Sequence, residues 1–247
     1  MKNLLSVVLL AGVLVSSSFA ETAPSVPVQT TRFSVDVDYS TVSMEKVNTE
    51  LDKGSNVTKF SSGIAAMAEF DVALAPILNV GVRGGYLYCM PASTTLDYII
   101  GTTKETVNAS LIPIEVGASV NLELPSLPIS ASAGIYGGYG LANASFRTED
   151  NLTGQDYTQL FNGQSFTGEL LGTVTLKVSS NVSVNINGGY RMAVIPKMTQ
   201  NEDVNTTVLG ITIPHGKKGD VLKDSSNDNL VFDYSGLNLG VGISMGF

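Results

Sequence analysis

Along most of this chain apolar residues stand at every second position, and the residues between them are polar, small or charged. A period of two belongs to strands and not to helices. In the first segment Phe33, Val35, Val37 and Tyr39 alternate with Ser34, Asp36, Asp38 and Ser40. The second sets Ile64, Ala66, Ala68, Phe70, Val72 and Leu74 against Met67, Glu69 and Asp71, and the third sets Val80, Val82, Tyr86 and Tyr88 against Arg83 and Leu87. In the fourth, Ile114, Val116, Ala118, Val120 and Leu122 oppose Glu115, Ser119 and Asn121. The fifth carries Ile129, Ala131, Ala133, Ile135 and Tyr139 against Ser130, Ser132 and Tyr136. The sixth has Phe166, Leu170, Val174 and Leu176 against Thr167, Glu169, Thr175 and Lys177. The seventh has Val182, Val184, Ile186, Tyr190 and Met192 against Asn185, Asn187 and Arg191. The last has Leu237, Leu239, Val241, Ile243, Met245 and Phe247 against Asn238, Gly240, Gly242 and Ser244. Each segment is long enough for a tilted strand to cross a membrane, and the pattern predicts an all-β chain of eight such strands.

The connections divide into two kinds. Tight turns are expected at 75–79, 125–128 and 179–181, which carry the turn-forming residues Pro, Ser and Asn. Long connections are expected at 43–62, 91–108, 143–164 and 196–230, rich in Asn, Thr, Asp and Lys. Strict alternation of short and long is the signature of a closed antiparallel up-and-down barrel with short periplasmic turns and four long extracellular loops. Gly-Gly-Tyr recurs at Gly84, Gly137 and Gly188, at intervals of 53 and 51 residues, or one hairpin with its loop. Paired glycines let a curved strand bend, and Tyr86, Tyr139 and Tyr190 would set their rings at the outer membrane interface.

Composition agrees with this pattern. Apolar residues make up 43% of the 247 and charged ones only 15%, yet past residue 20 no apolar run approaches the length of a helical span. A membrane protein without helical spans is left with the closed barrel, because every backbone N–H and C=O must be paired inside hydrocarbon. Residues 1–20 have the layout of a cleaved signal peptide: Lys2, an apolar run, then Ser18-Phe19-Ala20. Residues 21–30, with Pro24 and Pro27, form a short periplasmic lead-in, and 31–247 form the barrel. The net charge of −8 becomes −9 once Lys2 is removed, and no basic stripe exists to meet the phosphates of nucleic acid. One cysteine, Cys89, excludes an intramolecular disulfide and reads as a small strand residue. Six Asn-x-Ser/Thr triplets fit the Asn/Thr/Ser-rich loops and carry no glycosylation reading.

The final residues, Gly242-Ile243-Ser244-Met245-Gly246-Phe247, resemble the C-terminal strand signal of bacterial outer-membrane proteins. That signal has a terminal aromatic, apolar residues at alternate positions and an upstream Gly, here Phe247, Met245 and Gly242. The mature chain as a whole resembles the small eight-stranded barrels typified by the OmpA membrane domain, OmpX and OmpW. The resemblance implies a bacterial outer-membrane location, with outer-membrane lipid and the assembly machinery as partners and an extracellular ligand or solute beyond them.

The facing pattern directs Asp36, Asp38, Glu69, Asp71, Arg83, Glu115, Glu169, Lys177 and Arg191 into the lumen. An eight-stranded barrel is just wide enough for side chains to fill, so such charges need partners or water. Counting from the turns puts Arg83 near Glu69, Asp36 and Asp38, and Glu169 beside Arg191. This predicts an ion-pair network filling the lumen, and the alternative is a narrow polar pore. Catalysis has little to work with. His215, the only histidine, sits in a Gly-flanked basic stretch, and no spacing rule links it to Ser225 or Ser226. One His, one Cys and scattered acids show no metal-ligand spacing, and no cofactor is implied.

The chain therefore reads as a structural or surface-interaction barrel and not an enzyme. The alternatives are a small channel for polar or apolar solutes and, further off, a lipid-modifying enzyme. A soluble lipocalin-like barrel or periplasmic sandwich would share the periodicity but reverse the facing, with apolar side chains inside.

Overall fold

A computed structural model describes residues 31–247, apart from 100, 124–126, 152 and 209–210. The segments read as signal peptide (1–20) and lead-in (21–30) lie outside the described residues, as does part of the turn expected at 125–128. Eight strands carry the fold: β1 (Thr31–Thr41), β3 (Ser62–Ala75), β4 (Leu78–Cys89), β6 (Gly101–Glu123), β7 (Ile129–Asp150), β8 (Gln155–Lys177), β9 (Val182–Ile195) and β14 (Gly236–Gly246). They pair antiparallel in chain order, and β14 pairs with both β9 and β1, so each has two partners and the path returns to its start. A sheet joined in this way has no edge strand, which leaves no unpaired backbone row along the ring.

The facing is the one the alternation predicts. Phe33, Val35, Val37 and Tyr39 lie 43–57% exposed on the outside of β1, whereas Asp36 and Asp38 are 6% and 1% exposed on the inside. The same holds around the ring, with Val116 and Ile186 outside and Glu115 and Asn185 buried. Apolar-out and charged-in is the reverse of a lipocalin-like barrel or sandwich, and that reading is set aside.

The turns join β3 to β4 through Pro76-Ile77 and β8 to β9 through 178–181, where Ser179 Oγ accepts from the Val182 amide at 3.1 Å. The connections at the other end differ from the loops expected there. Strands β6, β7 and β8 run 22–23 residues, so most of 101–108 and 143–164 is paired strand; Asn108 lies opposite Ser145, and Asn143 opposite Asn162. The β7–β8 link shrinks to 151–154, with Gly154 at φ 65°. The inner face of these extensions is apolar, with Val107, Ala144 and Phe161 in the buried core, while the outer face carries Asn108, Ser145 and Asn162. The facing is the reverse of the lower ring, and composition disguises them as loop.

The remaining connections also carry regular elements. Between β1 and β3 lie helix α1 (Glu45–Leu51) and β2 (Ser55–Thr58), and between β4 and β6 lies β5 (Ala92–Tyr98), which pairs with β6. Between β9 and β14 come β10 (Met198–Gln200), β11 (Val204–Val208), β12 (Ile211–Gly216) and β13 (Phe232–Asp233). The short helix places Val47 and Leu51 on one face, four residues apart, and both are buried. Asn48 pins it in place: its amide donates to the Phe60 carbonyl and its Oδ1 accepts from the Phe60 N–H, each at 2.8 Å.

Candidate functional site: a charged belt beneath an apolar cap

The inside of the ring has two storeys. Nearer the tight turns it is charged. Nearer the long connections Met67, Leu87, Leu111, Ala193 and Ile195 line the wall, and Met44, Phe60, Phe232 and Tyr234 fold in over them, all within 2% of complete burial. The lumen thus holds an apolar storey besides the ion-pair network expected from the sequence. The cap was missed because its residues sit in connections that show no periodicity.

Arg83 is the centre of the lower storey. Its Nη1 lies 3.4 Å from Glu169 Oε2, its Nε lies 4.0 Å from Glu115 Oε2, and its guanidinium carbon stands 5.1 Å from the centre of the Tyr136 ring. Glu115 is its register partner on β6, whereas Glu169 is reached across the interior from β8. Glu169 also faces its own register partner Arg191, with Oε2 4.0 Å from Arg191 Nε, and accepts from the Asn238 amide. Expected neighbours are rearranged in one respect. Glu69 is opposite Arg83 in register but accepts the Tyr136 hydroxyl at 2.6 Å, and no ion pair joins Arg83 to Glu69, Asp36 or Asp38 among the described residues.

Asp36 and Asp38 turn instead toward β14. Their register partners are Gly242 and Gly240, and a β-carbon at either glycine would collide with the facing carboxylate; at Gly240 it would also meet Asn187 Oδ1. Gly242, expected only as part of the C-terminal signal, thus has a packing reason of its own. Met245 and Phe247 point outward, 44% and 66% exposed. Asp71 is held at the turn end by Arg32, at 2.7 Å from its Nη2. Lys177 is corrected: it is exposed at the rim and pairs with Glu123 at 3.0 Å, away from the belt. It keeps the inward phase, but it is the last residue of β8, where the inward direction already meets solvent.

Tyr136 and Asn238 were not singled out from sequence as members of this cluster. Tyr136 had a signal: it is a large ring in the inward phase of β7, and a β-carbon at Gly117 or Gly134 would strike it. The belt counts six carboxylates (Asp36, Asp38, Glu69, Asp71, Glu115, Glu169) against three guanidiniums (Arg32, Arg83, Arg191). Several of its atoms lack a protein hydrogen-bond partner, among them both Glu115 oxygens, both Asp38 oxygens and Arg191 Nη2. Such groups are costly unless hydrated or neutralised. The arrangement can hold water, protons and small cations; it offers no aligned nucleophile and base.

On the outside, Tyr86, Tyr139 and Tyr190 face away from the ring at 46%, 39% and 45% exposure, and Tyr139 packs edge-on against Phe166 at 5.3 Å. His215 stacks on Tyr157 at 3.9 Å and lies 2.7 Å from Thr206 Oγ1, while Ser225 bonds Lys53 and Glu50. Among the described residues no group of three or more His, Cys, Asp or Glu side chains is placed to hold a metal. No helix among them is long and apolar enough to cross a membrane.

No family model matches the chain, and no curated protein does. Among solved structures it is similar to Neisserial surface protein A, at 15% identity and a TM-score of 0.43, covering 88% of this chain and 97% of that one. It is similar to the outer membrane protein OprG from Pseudomonas aeruginosa, at 11% identity and a TM-score of 0.43, covering 88% and 96%. It is similar to Ail, the attachment invasion locus protein of Yersinia pestis, at 9% identity and a TM-score of 0.39, covering 88% and 97%.

Proposed function

We propose that residues 31–247 form a closed eight-stranded barrel of the bacterial outer membrane, exported by a cleaved leader, with a structural or surface-interaction role. The observation that carries the location is the outward face: Val37, Ile114, Ile135, Leu170, Leu239 and Val241, among many others, are 53–65% exposed on a ring whose charges are buried. A continuous apolar belt of that extent far exceeds the few hundred Å² a soluble monomer exposes, and hydrocarbon is the solvent that suits it. In this reading the tight turns face the periplasm, the long connections face outward, and Tyr86, Tyr139 and Tyr190 sit at the outer interface. Lipid is the surrounding partner, and Gly242, Met245 and Phe247 present the last strand to the assembly machinery.

The role follows from the two storeys. A belt of paired charges beneath an apolar cap favours a sealed interior, leaving the ordered outer hairpins as the surface that meets other molecules. A small channel is the second reading, favoured by the unpartnered polar atoms of the belt. Two experiments separate these. After outer-membrane fractionation the protein should migrate faster on a denaturing gel unboiled than boiled, and a soluble protein with no such shift defeats the location. Purified protein in planar bilayers should give no unitary conductance. Steady conductance that changes in Glu169→Ala or Arg191→Ala would establish the channel instead.

A further inference from the structure

At the loop end of the ring, apart from the charged belt, a cavity of about 210 Å³ opens between α1 and the outer parts of β5 and β6. The apolar part of its wall is Val47 and Leu51 from the helix, Leu96 from β5, Phe146 from β7 and Leu230 from the connection before β13. Thr94 of β5 and Glu105 of β6, which are register partners, line it side by side, and Glu50 and Lys53 at the helix end complete the polar part of the lining. Thr94 is 2% exposed, and its hydroxyl oxygen is closed off from the cavity and has no hydrogen-bond partner. No hydrogen bond or ion pair engages the half-buried Glu105 carboxylate among the described residues. Lys53, the cation in the lining, is already engaged: its Nζ lies 2.6 Å from Glu50 Oε2 and also bonds Ser225, closing a clasp between the helix and the β13-side connection.

We propose that this cavity is a binding site for a small organic ammonium ion with an apolar body, its charge on Glu105. Apolar walls around a few convergent polar groups are the usual build of a small-molecule pocket. An unpaired carboxylate in such walls sets the sign of the ligand, because a cation relieves its desolvation and an anion worsens it. Burial holds the Glu105 carboxyl above the usual carboxylate range, which is what the absence of a resident counter-charge produces. Compact monoamines fit a space of this size; long polyamines do not.

The test uses the full mature chain refolded in lipid nanodiscs, with Val and Leu methyl groups labelled for NMR and benzylammonium as the probe at about pH 8, where probe and carboxylate both carry charge. Val47, Leu51 and Leu230 should shift saturably. Glu105→Gln should weaken binding by about tenfold or more, the scale of a charge-assisted hydrogen bond. Benzyl alcohol should bind more weakly by a similar factor, and benzoate should leave these methyls unmoved. Equal binding of benzyl alcohol, or unchanged affinity in folded Glu105→Gln, overturns the site. So does a shift spread over the outward Leu and Val residues, which reports partition into lipid.

Discussion

Arg83 and Glu169 stand on strands that are not neighbours in the ring, yet the guanidinium Nη1 lies 3.4 Å from the carboxylate Oε2. The contact spans the interior and cross-braces opposite walls through a pair whose side chains are no more than 1% exposed. Removing one partner of a buried pair leaves an uncompensated charge, at a cost of about 3–5 kcal/mol. Arg83→Ala should lose about that much in denaturant unfolding from a bilayer. Arg83→Met combined with Glu169→Gln should recover part of it, and an unchanged midpoint in Arg83→Ala would remove the brace from the account.

The glycines of β14 make a second prediction. Gly240→Val drives a side chain into the Asp38 carboxylate and Asn187, so it should destabilise by about 1–3 kcal/mol, the range for overpacking. Adding Asp38→Ala should relieve part of that loss. Gly172→Ala, whose β-carbon would meet only Gly188 O at 3.6 Å on the outside, is the matched control and should be nearly neutral. Equal effects at Gly240 and Gly172 would contradict the packing described for β14.

Cys89 reports on the cap. It is fully buried beside the capping residues, and the thiol should resist maleimide in the folded protein. Tyr234→Ala should speed labelling by about fivefold to thirtyfold, because a cavity costing about 1–2 kcal/mol raises local opening by that factor. The gel shift on boiling should persist in that variant. Rapid labelling of the folded wild type would show that the cap does not seal the upper storey.

The outer end of the β7–β8 hairpin should depend on acidity. Arg147 Nη2 donates to Asp156 Oδ2 at 2.6 Å, and this bond holds the Asp156 carboxyl below its ordinary range. A depressed carboxylate adds stability above its unfolded pKa and loses it as pH falls through the lower folded value. Amide exchange at Arg147–Asp156 should therefore accelerate at acid pH beyond the intrinsic change, and Asp156→Asn should abolish the extra dependence. High salt should weaken the effect, since both groups are exposed.

Much of this was legible from alternation, because facing in a strand follows from parity alone. Parity placed Asp36, Glu69, Glu115 and Arg191 inside and Tyr86 and Met245 outside. Counting from the turns sets Arg83 level with Glu69 and Glu169 beside Arg191, and both pairs are register partners. Neither parity nor counting gives a view across the ring, so the reach of Arg83 to Glu169 was missed and rim-exposed Lys177 was counted with the belt. The extensions at 101–108 and 143–150 eluded it for another reason. Their outward positions are polar, as at Asn108 and Ser145, while Val107, Ala144 and Phe146 turn inward, so the contrast that marks the lower strands is inverted there. The cap of Met44, Phe60, Phe232 and Tyr234 depends on contacts between distant connections that no local pattern records.

The seam between β1 and β14 joins Thr31 to Phe247, 216 positions apart in the chain. Until it forms, a nascent chain holding the other strands has two bare edges, each a template for pairing with a stranger. Closure is thus a single late event that no local contact can anticipate, and such distant pairings make for slow folding. Lesions in β14 should accordingly surface as clumped, undelivered polypeptide and not as a faulty barrel in the membrane.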